Sequence, residues 1–141
     1  MSLEYDIEQD VVSYLKQNLS GVEVEALGNT NFSDENVISQ AQKRPQGYVI
    51  VNHIYGEGES YNPSLKKYKI VENYVFTIFS KNRRERYGVY ELLENVRKLI
   101  INYKYNFMIF VYKSHVIHPQ PIDNGIFIAE IKFEIIQEIQ F

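Results

Sequence analysis

Hydrophobic side chains recur at spacings of three and four in two segments of the chain. In residues 4–19 the pattern predicts an α-helix that ends at Ser20 and Gly21, with acidic residues in its first turns, where the helix dipole favours them. Residues 87–102 predict a second helix with a continuous apolar stripe. The stripe consists of Val89, Leu92, Leu93, Val96, Leu99 and Ile100. We therefore expect both helices to pack one face against a core.

Five other segments have the alternation or the β-branched and aromatic content of strands. They are residues 22–27, 47–55, 70–80, 107–112 and 125–136. Residues 70–80 carry aromatic side chains at both odd and even positions, which predicts an inner strand with two covered faces.

Three polar segments separate these elements. Residues 28–46 and 57–69 have little apolar surface, so we expect two loops that are mobile in an isolated subunit and ordered on assembly. Residues 114–124 contain two prolines and predict a connection. The order of elements predicts a single α+β domain over residues 1–141. Its expected architecture is a mixed, mainly antiparallel sheet of four to five strands with two helices packed on one face.

Charge is distributed unevenly along the chain, although the net charge is only −3. Residues 1–40 have a net charge of −7, whereas residues 41–104 have +6. This segregation suits head-to-tail contact between copies. The candidate interface pairs the acidic first helix of one copy with the basic turn of the next. Its residues are Glu4, Asp6, Glu8 and Asp10 on the acidic side and Arg83, Arg84 and Arg86 on the basic side.

Composition and motifs give no support to several other function classes. The sequence pI of about 5.6 disfavours nucleic-acid binding, and no apolar stretch approaches the roughly 20 residues of a membrane-spanning helix. The acidic N-terminus does not resemble a secretory signal, and the chain has no cysteine, which excludes disulfides and thiol catalysis. We therefore expect a soluble, intracellular protein that contacts no membrane.

The sequence gives equally weak evidence for catalytic or metal-binding residues. His115 and His118 lie three apart beside a proline, with His53 far upstream, so we expect no metal site. Gly56 and Gly58 lack the third glycine and the following helix of a phosphate-binding loop. The pattern indicates no enzyme and no cofactor. Tyrosine is abundant, with twelve residues, and we expect some tyrosines to face a partner. The candidates are Tyr55, Tyr61, Tyr68, Tyr103 and Tyr105.

Residues 74–100, YVFTIFSKNRRERYGVYELLENVRKLI, resemble a family of Mu-like phage and prophage tail proteins. In that family a strand ends in an arginine-containing turn and leads into a helix with the motif G-x-Y-x-L-L-x-x-V-R. The matching positions are Gly88, Tyr90, Leu92, Leu93, Val96 and Arg97. The resemblance extends more loosely over the rest of the chain, except for residues 28–46 and 57–69.

The resemblance implies a tail terminator of a contractile phage, a small α+β protein that forms a ring on the completed tail tube. Its partners would be other copies of itself, in a hexamer, and the tube and sheath proteins, first in the host cytoplasm and then in the virion tail. It implies no catalytic residues. Two alternatives stay open: a head-to-tail connector or neck protein, and a small ligand-binding domain in which His53, His115 and tyrosines line a pocket.

Overall fold

The computed structural model describes residues 3–26, 43, 47–86, 88–106, 108–118, 120–121 and 125–140. Its two α-helices are α1 (Leu3–Asn18) and α2 (Val89–Ile101). The strands are β1 (Glu23–Ala26), β2 (Tyr48–Asn62), β3 (Lys67–Ser80), β4 (Lys104–Tyr105), β5 (Met108–Ile117) and β6 (Phe127–Gln140). A short 3-10 helix, Pro63–Leu65, joins β2 to β3. No helix in these ranges is both long enough and apolar enough to cross a membrane.

The described strands form one mixed sheet in the order β1-β2-β3-β6-β5-β4. Only β1 and β2 are parallel, and the other four neighbouring pairs are antiparallel. The α+β class and the mixed sheet agree with the sequence analysis, but the expected four to five strands are too few. The short strand β4 was missed because two residues are too few to show a period of their own.

Both helices pack on the same face of the sheet. Their apolar stripes join the inward-facing side chains of β2, β3 and β6 in one hydrophobic core. Five of the six residues in the predicted stripe of α2 are at most 4% exposed, and Leu99 is partly buried against the core. The five are Val89, Leu92, Leu93, Val96 and Ile100. The predicted inner position of the third strand is also confirmed, because β3 lies between β2 and β6.

The opposite face of the sheet has a smaller apolar cluster of four buried residues. They are Tyr48, Ile50, Phe79 and Ile126, with Ile128 packed against them. This second cluster explains why residues 70–80 have aromatic side chains on both faces.

The prediction of a loop over residues 57–69 is wrong, because most of these residues belong to a long hairpin. β2 continues to Asn62, and β3 begins at Lys67. β3 is paired on both sides there, since Lys67 is the partner of Asn62 in β2 and of Gln140 in β6. Backbone hydrogen bonds therefore stabilise strands in this hairpin, although its polar side chains did not predict them.

One other sequence boundary also differs from the structure. The expected connection over residues 114–124 begins later, because β5 continues through an irregularity between Tyr112 and Ser114 to Ile117. Residues 28–46 were predicted to form a loop. Apart from Lys43, they lie outside the described residues.

Candidate functional site: the arginine turn and the acidic helix

The turn between β3 and α2 is held by three backbone hydrogen bonds. The amides of Gly88, Val89 and Tyr90 donate to the carbonyl oxygens of Glu85, Asn82 and Arg83, at 2.9, 3.2 and 3.3 Å. The first amides of α2 are thus satisfied by the turn itself, which leaves the helix N-terminus unsuited to binding an anion.

Gly88 is required at this turn for steric reasons. A Cβ atom added to Gly88 would lie 2.5 Å from the carbonyl oxygen of Arg83 and 2.8 Å from that of Glu85. Both contacts are with backbone, which cannot rotate away as a side chain could. Gly88 therefore permits the turn to pass close to the start of the helix.

The side chains of the turn form a charged surface cluster. The Glu85 carboxylate accepts hydrogen bonds from the backbone amides of Arg83 and Arg84, both at 3.2 Å. Hydrogen bonds from backbone amides, led by its own, hold the pKa of Glu85 below its ordinary value. Arg84, Glu85 and Arg86 are exposed. The Glu85 carboxylate is thus oriented toward the backbone, and the Arg84 side chain lies at the surface.

Two arginines of the turn also contact Tyr90. The guanidinium carbons of Arg83 and Arg84 lie 5.9 and 5.8 Å from the centroid of the Tyr90 ring, within cation–π range. The pKa of Tyr90 is lowered, chiefly by its side-chain hydrogen bond with Arg83. Tyr90 is 39% exposed, so it adds an aromatic surface to a patch that can bind carboxylates.

The acidic residues of α1 do not all lie at the surface. Asp6 and Asp10 are exposed, and the Asp10 carboxylate accepts a hydrogen bond from the Tyr103 hydroxyl. Glu8 differs from the expectation, because it is only 8% exposed and its Oε2 accepts a hydrogen bond from the backbone amide of His53 at 3.3 Å. The side chain of Glu4 lies outside the described residues. Asp6 and Asp10 are therefore the described acidic residues able to face a neighbour.

The acidic start of α1 and the basic turn lie at opposite ends of the helix. Arg86 lines a groove together with Asn18 and Leu19, where α1 ends. Asp6 precedes Asn18 by about 12 residues, which is about 18 Å along the helix axis at 1.5 Å per residue. Asp6 is therefore too far away to pair with Arg86 in the same subunit.

The groove beside Arg86 has a volume of about 460 Å³ and is open to solvent between the end of α1 and the outer side of α2. Its polar lining includes Arg86, Lys98, Glu91, Asn95 and Asn18. Lys98 is 3.4 Å from the Glu94 carboxylate, and Arg97 also contacts Glu94. The hydrogen bond from Arg97 is the main cause of the lowered pKa of Glu94. The groove thus continues the charged surface of the turn along α2.

A largely buried polar cluster, which the sequence pattern did not predict, lies where α1 meets the sheet. His53 Nε2 contacts Glu72 Oε2, and Glu72 is only 6% exposed. The ring of Tyr74 packs edge-on against His53 with a centroid distance of 5.0 Å. Gly56 makes room for the Glu72 carboxylate, which a Cβ atom there would strike. Together with the bond from the His53 amide to Glu8, the cluster attaches the first turns of α1 to β2 and β3.

The three histidines do not converge on one site. His115 contacts Tyr112 on β5, and His118 Nε2 lies 3.9 Å from Glu130 Oε1. His53 is on β2, which is separated from β5 by two strands, or about 14 Å across the sheet. His53 and His115 therefore do not contact one another, and the ligand-binding alternative stays untested. Within the described ranges, no three His, Asp or Glu side chains are arranged to hold a metal ion.

The tyrosines expected at an interface also differ in position. Tyr103 is only 4% exposed and belongs to the core, so it does not face a partner. Burial, followed by its hydrogen bond to Asp10, raises the pKa of Tyr103 strongly. Tyr68 and Tyr105 are half-buried, and the side chains of Tyr55 and Tyr61 lie outside the described residues.

No protein-family model and no curated protein matches the sequence.

Proposed function

We propose that this chain is a structural tail-assembly protein of a contractile phage or prophage, a terminator that forms a homo-oligomeric ring and caps the tail tube. The observation that carries the proposal is the strand–turn–helix segment of residues 74–100. Gly88 sits where the turn passes closest to α2, and Leu92, Leu93 and Val96 face the core. Each part of the motif thus has a physical reason to be there.

The placement of charge supports a head-to-tail contact between copies. Asp6 and Arg86 lie at opposite ends of α1, so neither neutralises the other within the subunit. In a ring of heterologous contacts, the acidic end of one copy meets the basic turn of the next. The ring, its hexameric size, and its binding to tube and sheath proteins in the host cytoplasm and the virion tail are parts of this proposal.

Sedimentation at several protein concentrations tests the oligomer, and charge reversal tests the contact. We expect wild-type protein to form one closed species, and Arg84→Glu with Arg86→Glu to slow its assembly. Raising the salt from 0.1 to 1 M should also weaken it, because the Debye length falls from about 10 to about 3 Å. A matched control reverses two exposed lysines elsewhere, Lys16 on α1 and Lys69 on the inner strand β3, with the same change in net charge.

Identical oligomer distributions for the arginine variant and the lysine control at both salt concentrations would refute the electrostatic contact. A monomer at every concentration would refute the ring. Binding to purified tail tubes then separates the terminator from the head-to-tail connector. A terminator halts tube growth and caps the tube ends in electron micrographs, whereas a connector binds the portal side and leaves tube growth unchanged.

A further inference from the structure

Two long strands of the sheet are partly uncovered along their outer edges. β1 pairs with β2 only over Tyr48–Val51, and β4 pairs with β5 only at Met108 and Ile109. In the part of the chain that the structure describes, residues 52–62 of β2 and 110–117 of β5 thus have no neighbouring strand on their outer sides. Among the described residues, the His53 amide donates to Glu8, and no strand pairs with the other outward backbone amides and carbonyls of these stretches, so a further strand could pair there.

The β5 edge also carries exposed apolar side chains. Ile109, Val111 and Val116 are 50%, 39% and 47% exposed. Long, apolar edge strands are normally shortened, covered or charged, because they recruit other strands. Here the only lysine or arginine among residues 108–118 is Lys113. The edge is therefore suited to an interface.

We propose that the β5 edge of one copy pairs antiparallel with the outer edge of β2 in a second copy, so that the sheet continues from subunit to subunit. The inference rests on the proposed ring and specifies how its subunits join. Three antiparallel steps separate β2 from β5 in the sheet order, so the two strands run in opposite directions. A second copy in the same orientation therefore brings its β2 to β5 with antiparallel direction.

Charge favours β2, rather than a second β5, as the partner strand. Residues 52–62 contain Glu57 and Glu59 and no lysine or arginine, whereas residues 108–118 contain Lys113 and no acidic residue. Pairing β5 with itself would bring two Lys113 side chains together, which is unfavourable across a strand pair. The lengths also fit, since residues 110–117 span about 27 Å and residues 52–62 about 37 Å at 3.4 Å per residue.

The absence of cysteine from the chain permits a specific cross-linking test. One variant carries His115→Cys on β5, and the other carries Gly58→Cys on β2. Both positions face the helix side of the sheet, as their partners Ile131 and Ile70 show. A Cβ atom at Gly58 meets nothing within 4 Å, so the change is sterically harmless. Each chain has a single thiol, so every cross-link joins two copies.

The two variants are mixed and treated either with mild oxidant or with a short bis-maleimide, which tolerates a small register offset. We expect heterodimers of the His115→Cys and Gly58→Cys chains, because Cα atoms of paired antiparallel strands lie about 4.5–5.5 Å apart, within disulfide range. The control replaces the Gly58 variant with Gln17→Cys, an exposed site on α1. That mixture should give no cross-link above background.

Charge exchange provides an independent measurement of the same contact. Lys113→Glu should weaken self-association by up to about fivefold, the effect of one exposed ion pair. Glu59→Lys in the same chain should restore it, because the register that pairs His115 with Gly58 places residue 59 opposite Ser114, beside residue 113.

The outcomes separate the edge contact from the ring. Homodimers of the His115→Cys chain alone would indicate β5–β5 pairing and overturn the inference. Oligomers in sedimentation without the heterodimer cross-link would also overturn it while leaving the ring proposal intact. Monomers at every concentration would overturn both.

Discussion

Truncation of Leu93 tests whether α2 packs its stripe on the sheet. Leu93 is 4% exposed and belongs to the main hydrophobic core, so Leu93→Ala removes buried methyl groups and leaves a cavity. Such changes cost about 2–5 kcal/mol. At about 2.1 cal/mol/K per residue, the unfolding entropy of a domain this size is about 0.3 kcal/mol/K. The expected fall in Tm is therefore about 7–17 °C.

A matched control lies on the same helix. Ile101 is 49% exposed, so Ile101→Ala makes a similar aliphatic truncation with little loss of burial. We expect its free energy of unfolding to change by less than about 0.5 kcal/mol, as is usual for surface substitutions. Thermal and urea unfolding followed by circular dichroism measure both variants. Equal effects of the two substitutions would contradict the described orientation of α2.

The remaining predictions concern the turn and a buried tyrosine. Gly88→Ala should destabilise the protein by at least about 1 kcal/mol in urea unfolding, because the added Cβ atom would strike the backbone of the turn. The control Gly58→Ala should be nearly neutral. Equal stability of the two variants would contradict the close approach of the turn to Gly88. The raised pKa of Tyr103 predicts stability that is present below the unfolded-state pKa of about 10 and is lost as pH rises above it. Tyr103→Phe should therefore flatten the fall in unfolding free energy between about pH 9 and 11, and an unchanged slope would argue against burial of the phenol.

Local periodicity was sufficient for the helices and for the inner strand. The apolar stripe of α2 depends only on 3.6-residue spacing, and five of its six residues are buried. The same spacing could have identified Glu8 as buried, because it lies three and four residues before Val11 and Val12 on the inward side of α1. Because Glu8 is charged, it was instead predicted to lie at the surface.

One part of the candidate site could be predicted from the sequence, and another part could not. The arginine turn was visible because it is continuous in sequence, between a clear strand and a clear helix. The contact of His53 with Glu72 was not visible, since it joins residues 19 apart and depends on the register of β2 against β3. A shift of one residue would turn Glu72 to the other face of the sheet.

Side-chain spacing and charge order are local properties, so they were enough to show which segments can bury an apolar face and where the charges lie along the chain. Tertiary structure alone decided that polar residues 57–62 remain in a strand, that Glu8 is buried, and that Asp6 and Arg86 lie at opposite ends of α1. Each of these depends on backbone pairing or packing between segments distant in sequence, whose energies no local pattern records.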